Sequence, residues 1–182
     1  MDQLTSLMLR ASDGEREALA DVVRRTQADV WRLCAYLTSP DDADDLTQET
    51  YARMCAGLQR ITPETDGRAW LLGIARHVAV DHVRRAVRWR RLVLPRPRPT
   101  SPDDTGATDL MALVQALDPD RRAAFVMTQL LGLSYEEAAE ACGCPIGTIR
   151  SRVARARTEL AHQVSESGQA PRRRAGGDGL RG

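Results

Sequence analysis

Apolar residues recur along this chain at the three- and four-residue intervals of helices, and no run alternates apolar with polar as a half-buried strand would. From Glu15 to Leu37, the positions Leu19, Val22, Val23, Val30, Leu33 and Leu37 keep to one helical face. Ser39 then reads as an N-cap. Pro40 follows at the first helical position and Asp42 completes a capping box, so that orphan N–H groups at the helix start are either accepted or absent. The helix so opened runs to about Leu58, with Leu46, Thr50, Met54 and Leu58 facing inward. A loop, Gln59 to Gly67, leads to a third long helix bearing Trp70, Leu71, Ile74 and Val78. Together these predict a compact helical domain over residues 1–92.

Regularity stops between Leu94 and Thr108, where Pro95, Pro97, Pro99 and Pro102 stand among charged and small residues. Such a stretch predicts a flexible linker, residues 93–108. At ~3.1 Å per residue it can span roughly 45 Å. Helical patterning resumes at Asp109. Asp118 and Pro119 open a helix through Leu131 that Gly132 closes, and Ser134 with Glu137 forms a second capping box. Cys142-Gly143-Cys144-Pro145 is a tight break before a last helix that runs to about His162. The second domain is therefore expected over residues 109–164, followed by a disordered Gly- and Arg-rich tail, 165–182. The fold class predicted is all-α: two small helical domains on a flexible Pro-rich linker.

Composition changes the picture mainly through charge. The net charge of +1 hides strong segregation. Between Asp41 and Glu49 every charged residue is acidic, whereas from Arg68 to Arg91 seven arginines stand against Asp81 alone. Arg150 to Arg157 adds four arginines and no acid. No lysine occurs, so every fixed cation is a guanidinium, suited to bidentate phosphate and guanine contacts, although a GC-rich genome would also produce this usage. The charge map calls for one basic and one acidic partner. No apolar run approaches the ~20 residues of a membrane span and the start is not signal-like, which predicts a cytoplasmic protein without membrane contact. Cys34, Cys55, Cys142 and Cys144 are too scattered for a disulfide framework.

Two capped helices joined by a short break, the second rich in arginine, describe a helix-turn-helix over Ser134–Leu160. Ile149, Val153, Ala156 and Leu160 form the apolar stripe of its second helix. Thr148, Arg150, Ser151, Arg152, Ala154 and Arg155 then fall on or near the exposed side, where they can face a major groove. Asp41, Asp45 and Glu49 are spaced i, i+4, i+8, with Asp44 and Gln48 beside them, so they form one polar face. Acids favoured by the helix dipole would account for Asp41 and Asp42 but not for Glu49 further inside. Asp41 to Asp45 also fits the Asp-Asp-x-x-Asp pattern with which helical prenyl synthases hold magnesium. The nearest second pair, Asp103-Asp104, lies in the linker, where nothing fixes its geometry. Trp70 and Trp89 are, as a rule, packing residues rather than base-stacking platforms. His77, His82 and His162 lack metal-site spacing, and Cys142 and Cys144 lack a second ligand pair, so no metal or cofactor is expected.

These segments resemble the extracytoplasmic-function (ECF) sigma factors. Asp44-Asp45-Leu46-Thr47-Gln48-Glu49-Thr50-Tyr51 is similar to that family's core-polymerase-binding segment. Arg68-Ala69-Trp70-Leu71-Leu72-Gly73-Ile74-Ala75-Arg76 is similar to the start of its promoter-melting helix. Gly132 to Ala139 and Cys144 to Arg152 are similar to its helix-turn-helix. The resemblance covers about residues 10–162 and implies a set of roles. Asp41, Asp44, Asp45, Gln48 and Glu49 would bind core RNA polymerase. Arg68, Trp70, Arg76, His77, Arg84 and Arg85 would engage the −10 element. Thr148, Arg150, Ser151, Arg152, Ala154 and Arg155 would read the −35 element. Promoter DNA and an anti-sigma factor are the further partners implied, and catalysis would belong to the polymerase. The loop before the third helix has no aromatic residue where many relatives carry phenylalanine, and His77 stands where several have asparagine. The rival readings are a stand-alone helix-turn-helix regulator and the magnesium-dependent synthase.

Overall fold

The computed structural model describes residues 2–92 and 107–168, and every regular element among them is helical. α1 spans Gln3–Ser12, α2 Arg16–Leu37, α3 Pro40–Gly57 and α4 Gly67–Leu92. α5 spans Ala107–Ala116, α6 Pro119–Phe125, α7 Tyr135–Cys142 and α8 Ile146–Gly168. The helix through Leu131 is thus not uniform: after Phe125 it loosens into a π-helical turn, Val126–Leu130. Most of the predicted linker and the tail beyond Gly168 lie outside the described residues. Where the linker's last residues and the tail's first are described they are helical, in α5 and α8.

Local chemistry sets the boundaries. Ser39 accepts from the Asp42 N–H and donates its hydroxyl to Asp42 Oδ2 at 2.7 Å, with Pro40 in the first turn. Asp66 Oδ1 accepts from Ala69 N at 2.8 Å as α4 begins. The Ser134–Glu137 capping box is complete. Gly143 ends α7 at φ 62°, a left-handed conformation that only glycine adopts at no steric cost.

The predicted stripes face inward. Val22, Val30 and Leu33 of α2, Leu46 and Met54 of α3, and Leu71 and Val78 of α4 are buried together. Burial of each such side chain is worth ~1.5–3 kcal/mol. α1 is an addition that the sequence pattern did not reveal. Asp2 caps it, and its buried Thr5 accepts from Gly67 N at 3.0 Å, which ties α1 to the start of α4. A Cβ on Gly67 would stand 3.2 Å from the Thr5 backbone nitrogen and 3.0 Å from Met8 Sδ, so the clasp requires glycine there.

The second unit, α5–α8, packs onto the first, and one buried cluster runs through both. The main joint sets α7 against α4. A second joint closes the end of α2, whose last carbonyls have no intrahelical donor. Gln115 Nε2 donates to Ala35 O at 3.0 Å and to Thr38 O at 3.2 Å, and Arg122 donates to Leu37 O at 3.1 Å. Arg122 also holds the carbonyls of Gln115 and Leu117 at the end of α5.

Candidate protein and nucleic-acid interfaces

Three surfaces carry the residues singled out in the sequence. The first is the outer face of α3, where Asp41, Asp44, Asp45, Gln48 and Glu49 are all exposed. Two of these acids already have partners. Asp44 Oδ1 accepts from the indole nitrogen of Trp31 at 2.8 Å, and Glu49 pairs with Arg53 at 2.8 Å. Arg53 also reaches Asp81 of α4 at 3.1 Å and, through that hydrogen bond, holds the Asp81 carboxyl below the usual carboxylate range. Asp42 turns away from this face, half-buried, with its Oδ2 3.5 Å from His82 Nε2. The side chains leave a solvated row of carboxylates pointing outward, the arrangement a basic surface can dock on. Among the described residues no three His, Cys, Asp or Glu side chains gather as metal ligands would. Asp103 and Asp104, which the synthase reading would need, lie outside the described residues.

α4 carries the second surface, and its six candidates divide. His77, Arg84 and Arg85 are exposed. Trp70 is half-buried against the end of α3, where a Cβ on Gly57 would stand 3.1 Å from its ring. The two remaining arginines are turned into contacts rather than out to solvent. Arg68 pairs with Asp29 at 2.8 Å and donates to Leu131 O of the second unit at 2.6 Å. Arg76 donates to Asp120 Oδ1 at 3.1 Å across the joint, and its buried Nε has no hydrogen-bond partner among the described residues.

The third surface is the helix-turn-helix, α7 and α8. Ile149, Val153 and Ala156 are buried, and Ala138 and Ala139 of α7 present the small surface they close on. Arg150, Ser151, Ala154 and Arg155 are exposed on the opposite side of α8. Thr148 and Arg152 depart from the sequence expectation: both are half-buried at the edge of the apolar stripe. Arg152 pairs with Asp120 Oδ2 and lies 3.6 Å from Cys144 Sγ. The reason is rotational. Residues 148 and 152 flank the buried positions 149, 153 and 156 on the side where α6 lies, so an arginine there meets Asp120 rather than solvent.

No sequence pattern singles out Asp120. One carboxylate joins Arg76 of α4 to Arg152 of α8, and in the chain it reads only as an acid in the first turn of a helix. Gln115 and Arg122 were missed for a similar reason, since their partners are backbone carbonyls. Burial pushes the thiols of Cys34 and Cys142 each up to about 11, and Cys142 Sγ lies 3.8 Å from Met127 Sδ.

Comparison with known proteins bears on all three surfaces. Residues 22–90 match the family described as Sigma-70 region 2, and residues 107–160 the family described as Sigma-70, region 4. The ECF RNA polymerase sigma factor SigC of Mycobacterium tuberculosis is 46% identical over 167 residues, covering 87% of this chain and 90% of that protein. The ECF RNA polymerase sigma factor SigE of Mycolicibacterium smegmatis is 34% identical, covering 87% of this chain and 67% of that protein. Among solved structures, the sigma factor RpoE in complex with the anti-sigma factor NepR from Bartonella quintana aligns with a TM-score of 0.69 at 29% identity, over 80% of this chain and 96% of that one. CnrH in complex with the cytosolic domain of CnrY aligns at 0.74 and 24% identity, over 91% and 99%.

Proposed function

We propose a division of labour among these surfaces that starts from one premise: the chain belongs to the extracytoplasmic-function group of the sigma-70 family of RNA polymerase sigma factors. It is an alternative sigma factor, which binds core RNA polymerase and directs promoter recognition and transcription initiation. In this reading the exposed row on α3, Asp41, Asp44, Asp45, Gln48 and Glu49, docks on a basic element of the polymerase. Opposite charge there steers encounter and fixes orientation. The exposed side of α4, centred on His77 and Arg84, takes the −10 element and holds an unstacked base. Arg150, Ser151, Ala154 and Arg155 enter a major groove at the −35 element, where arginine can bond guanine bidentately. Arg68 and Arg76 join the DNA contacts only when the two units part, because each is held across the joint, whereas Arg152 pairs with Asp120 inside the second unit.

The observation that carries this reading is the order of surfaces along one chain. An exposed carboxylate row, a basic helix and a helix-turn-helix follow one another as the two family matches do. A stand-alone regulator would have no use for the first two. The polymerase supplies the chemistry, so the chain itself is not an enzyme, and its place of work is the cytoplasm. Among the described residues no helix is long and apolar enough to cross a membrane. An anti-sigma factor, as in the complex of the Bartonella quintana relative, is the regulator proposed here too. Co-purification with core polymerase, followed by run-off transcription on a promoter library, tests the reading. Core binding with promoter-specific transcripts is expected, and promoter binding by the chain without core, with no transcript from the mixture, would overturn it.

A further inference from the structure

Between the two units lies a cavity of about 330 Å³, within the size range of small-molecule sites. Its walls come from both sides of the joint. Leu37, Val80 and Val83 of the first unit and Ala123 of the second give it apolar surface. Three arginines line it as well, Arg76 and Arg84 from α4 and Arg122 from α6, and Asp120 is the one acid among its lining residues. An apolar wall with a few charged groups is the composition from which sites for small organic ligands are built.

The charges in this lining do not balance. Asp120 is already shared, between Arg76 at 3.1 Å and Arg152 of α8. Arg122 meets no carboxylate among the described residues, since its terminal nitrogens donate to the carbonyls of Leu37, Gln115 and Leu117. Burial pulls its pKa below the ordinary guanidinium value, against the opposing charge of Asp118. Arginine stays charged all the same, so a partly desolvated cation sits in the joint without a counter-ion. The buried Nε atoms of Arg76 and Arg122 have no hydrogen-bond partner among the described residues. Arg84 is exposed, which adds a third positive charge at the edge of the same lining. An anion would compensate this excess, because charge-assisted bonds to guanidinium are the stronger kind. A carboxylate suits the lining better than a phosphate. The terminal nitrogens of Arg122 are committed to carbonyls, so single N–H donors remain rather than a free fork, and Asp120 would repel a dianion.

We propose that this cavity binds a small amphipathic carboxylic acid in its ionised form, and that the bound acid holds the two units together. The linkage follows from the walls. Each unit supplies only part of the lining, so the site is whole only while the units are joined. A ligand confined to that form opposes every event that needs the units apart, and those events expel it to the same degree. The inference rests on the reading above in which the units part when the chain works on polymerase and promoter. The chain then responds to an organic acid directly, in addition to any control by a protein.

The test titrates the full chain in a calorimeter with octanoate, and with octanol and octylamine as neutral and cationic bodies of the same length. Octanoate is expected to bind saturably at one site, and the other two are not. Val83→Trp fills the cavity while sparing every arginine, and should abolish binding. Arg122→Gln should abolish it too, whereas Arg122→Lys, which keeps the charge, should retain part of it. Arg122 also closes the end of α2, so Val83→Trp, at a 40% exposed position, keeps the test valid where Arg122→Gln fails to fold. Octanoate at about ten times its dissociation constant should weaken association of the parent with core polymerase roughly tenfold, and leave the Val83→Trp chain unaffected. No saturable binding of octanoate, equal binding of octanol, or binding that survives Val83→Trp overturns the site. Saturable binding with unchanged core association keeps the site but overturns its role as a lock, and with it the reading that the units part. An equal loss of core association in parent and Val83→Trp chains overturns the proposal by showing that octanoate acts elsewhere.

Discussion

Gly73 of α4 and Ala141 of α7 meet without a side chain between them: a Cβ on Gly73 would stand 3.1 Å from the Ala141 carbonyl oxygen and 3.4 Å from its Cα. Gly73→Ala therefore sets two effects against each other. α4 alone gains ~1 kcal/mol in helix propensity, while overpacking against backbone costs the joint ~1–3 kcal/mol. The expected result is a chain whose units separate more readily, read as a larger radius of gyration by small-angle scattering. An unchanged radius with a raised melting temperature would show that the joint tolerates the methyl group.

Reversing the charges of Asp45 and Glu49 to lysine should weaken core binding by an order of magnitude or more at low salt, with the larger effect on the association rate. Folding should survive, since both residues are exposed and an exposed pair such as Glu49–Arg53 contributes ~0.2–1 kcal/mol at most. Surface-immobilised core and a salt series measure this. Parental association rates in the double variant would remove the docking assignment.

Arginines on α8 should separate by role. Alanine at Arg150 or Arg155 should cost ~1–3 kcal/mol of discrimination at one −35 position if the residue reads a base, or flatten the salt slope if it holds phosphate. Arg152→Ala should act differently, because Arg152 pairs with Asp120. It should loosen the packing of α8 on α6 inside the second unit and leave the ranking of −35 variants close to parental. A variant in which Arg152→Ala shifts base preference most would reverse the assignment.

Thiol chemistry offers a check on the fold itself. With pKa values of about 11, Cys34 and Cys142 are almost fully protonated at pH 8 and hold little of the reactive thiolate. Their reactivity should rise only as pH climbs toward 11. Cys55, exposed on α3, should alkylate first. Mass spectrometry after brief iodoacetamide treatment reads the order, and early labelling of Cys34 would contradict its burial.

Much of this architecture was legible in the sequence because it is written in side chains. Ser39, Pro40, Ser134 and Glu137 announced helix starts through capping, and Leu46, Thr50 and Met54 announced the buried face of α3 through spacing. The acidic row was legible too, since solvated charge at helical intervals leaves few other readings. What escaped depends on backbone. α1 is short, and its decisive contact is a threonine hydroxyl accepting from Gly67 N. The joint between the units rests on glycine, on alanines and on the carbonyls of Ala35, Leu37, Thr38 and Leu131, none of which marks the sequence. A Pro-rich linker suggested independence, whereas contacts far apart in the chain hold the units together. Arg152 was placed only on or near the exposed side, because helical position alone cannot tell the edge of a stripe from its far side.

The bonds that Gln115 and Arg122 make to the end of α2 have one more consequence. Each joins a flexible donor to a main-chain oxygen at a helix terminus, and both groups face water once the units part. Separation there strands no desolvated amide or cation: solvent takes over each donor and each acceptor in turn. Opening is therefore an exchange of partners and not a net loss of them. Such a seam can be wetted and dried repeatedly while α2 keeps its length and α5 its end, so the chain can alternate between a folded-up and a spread form without unfolding any helix.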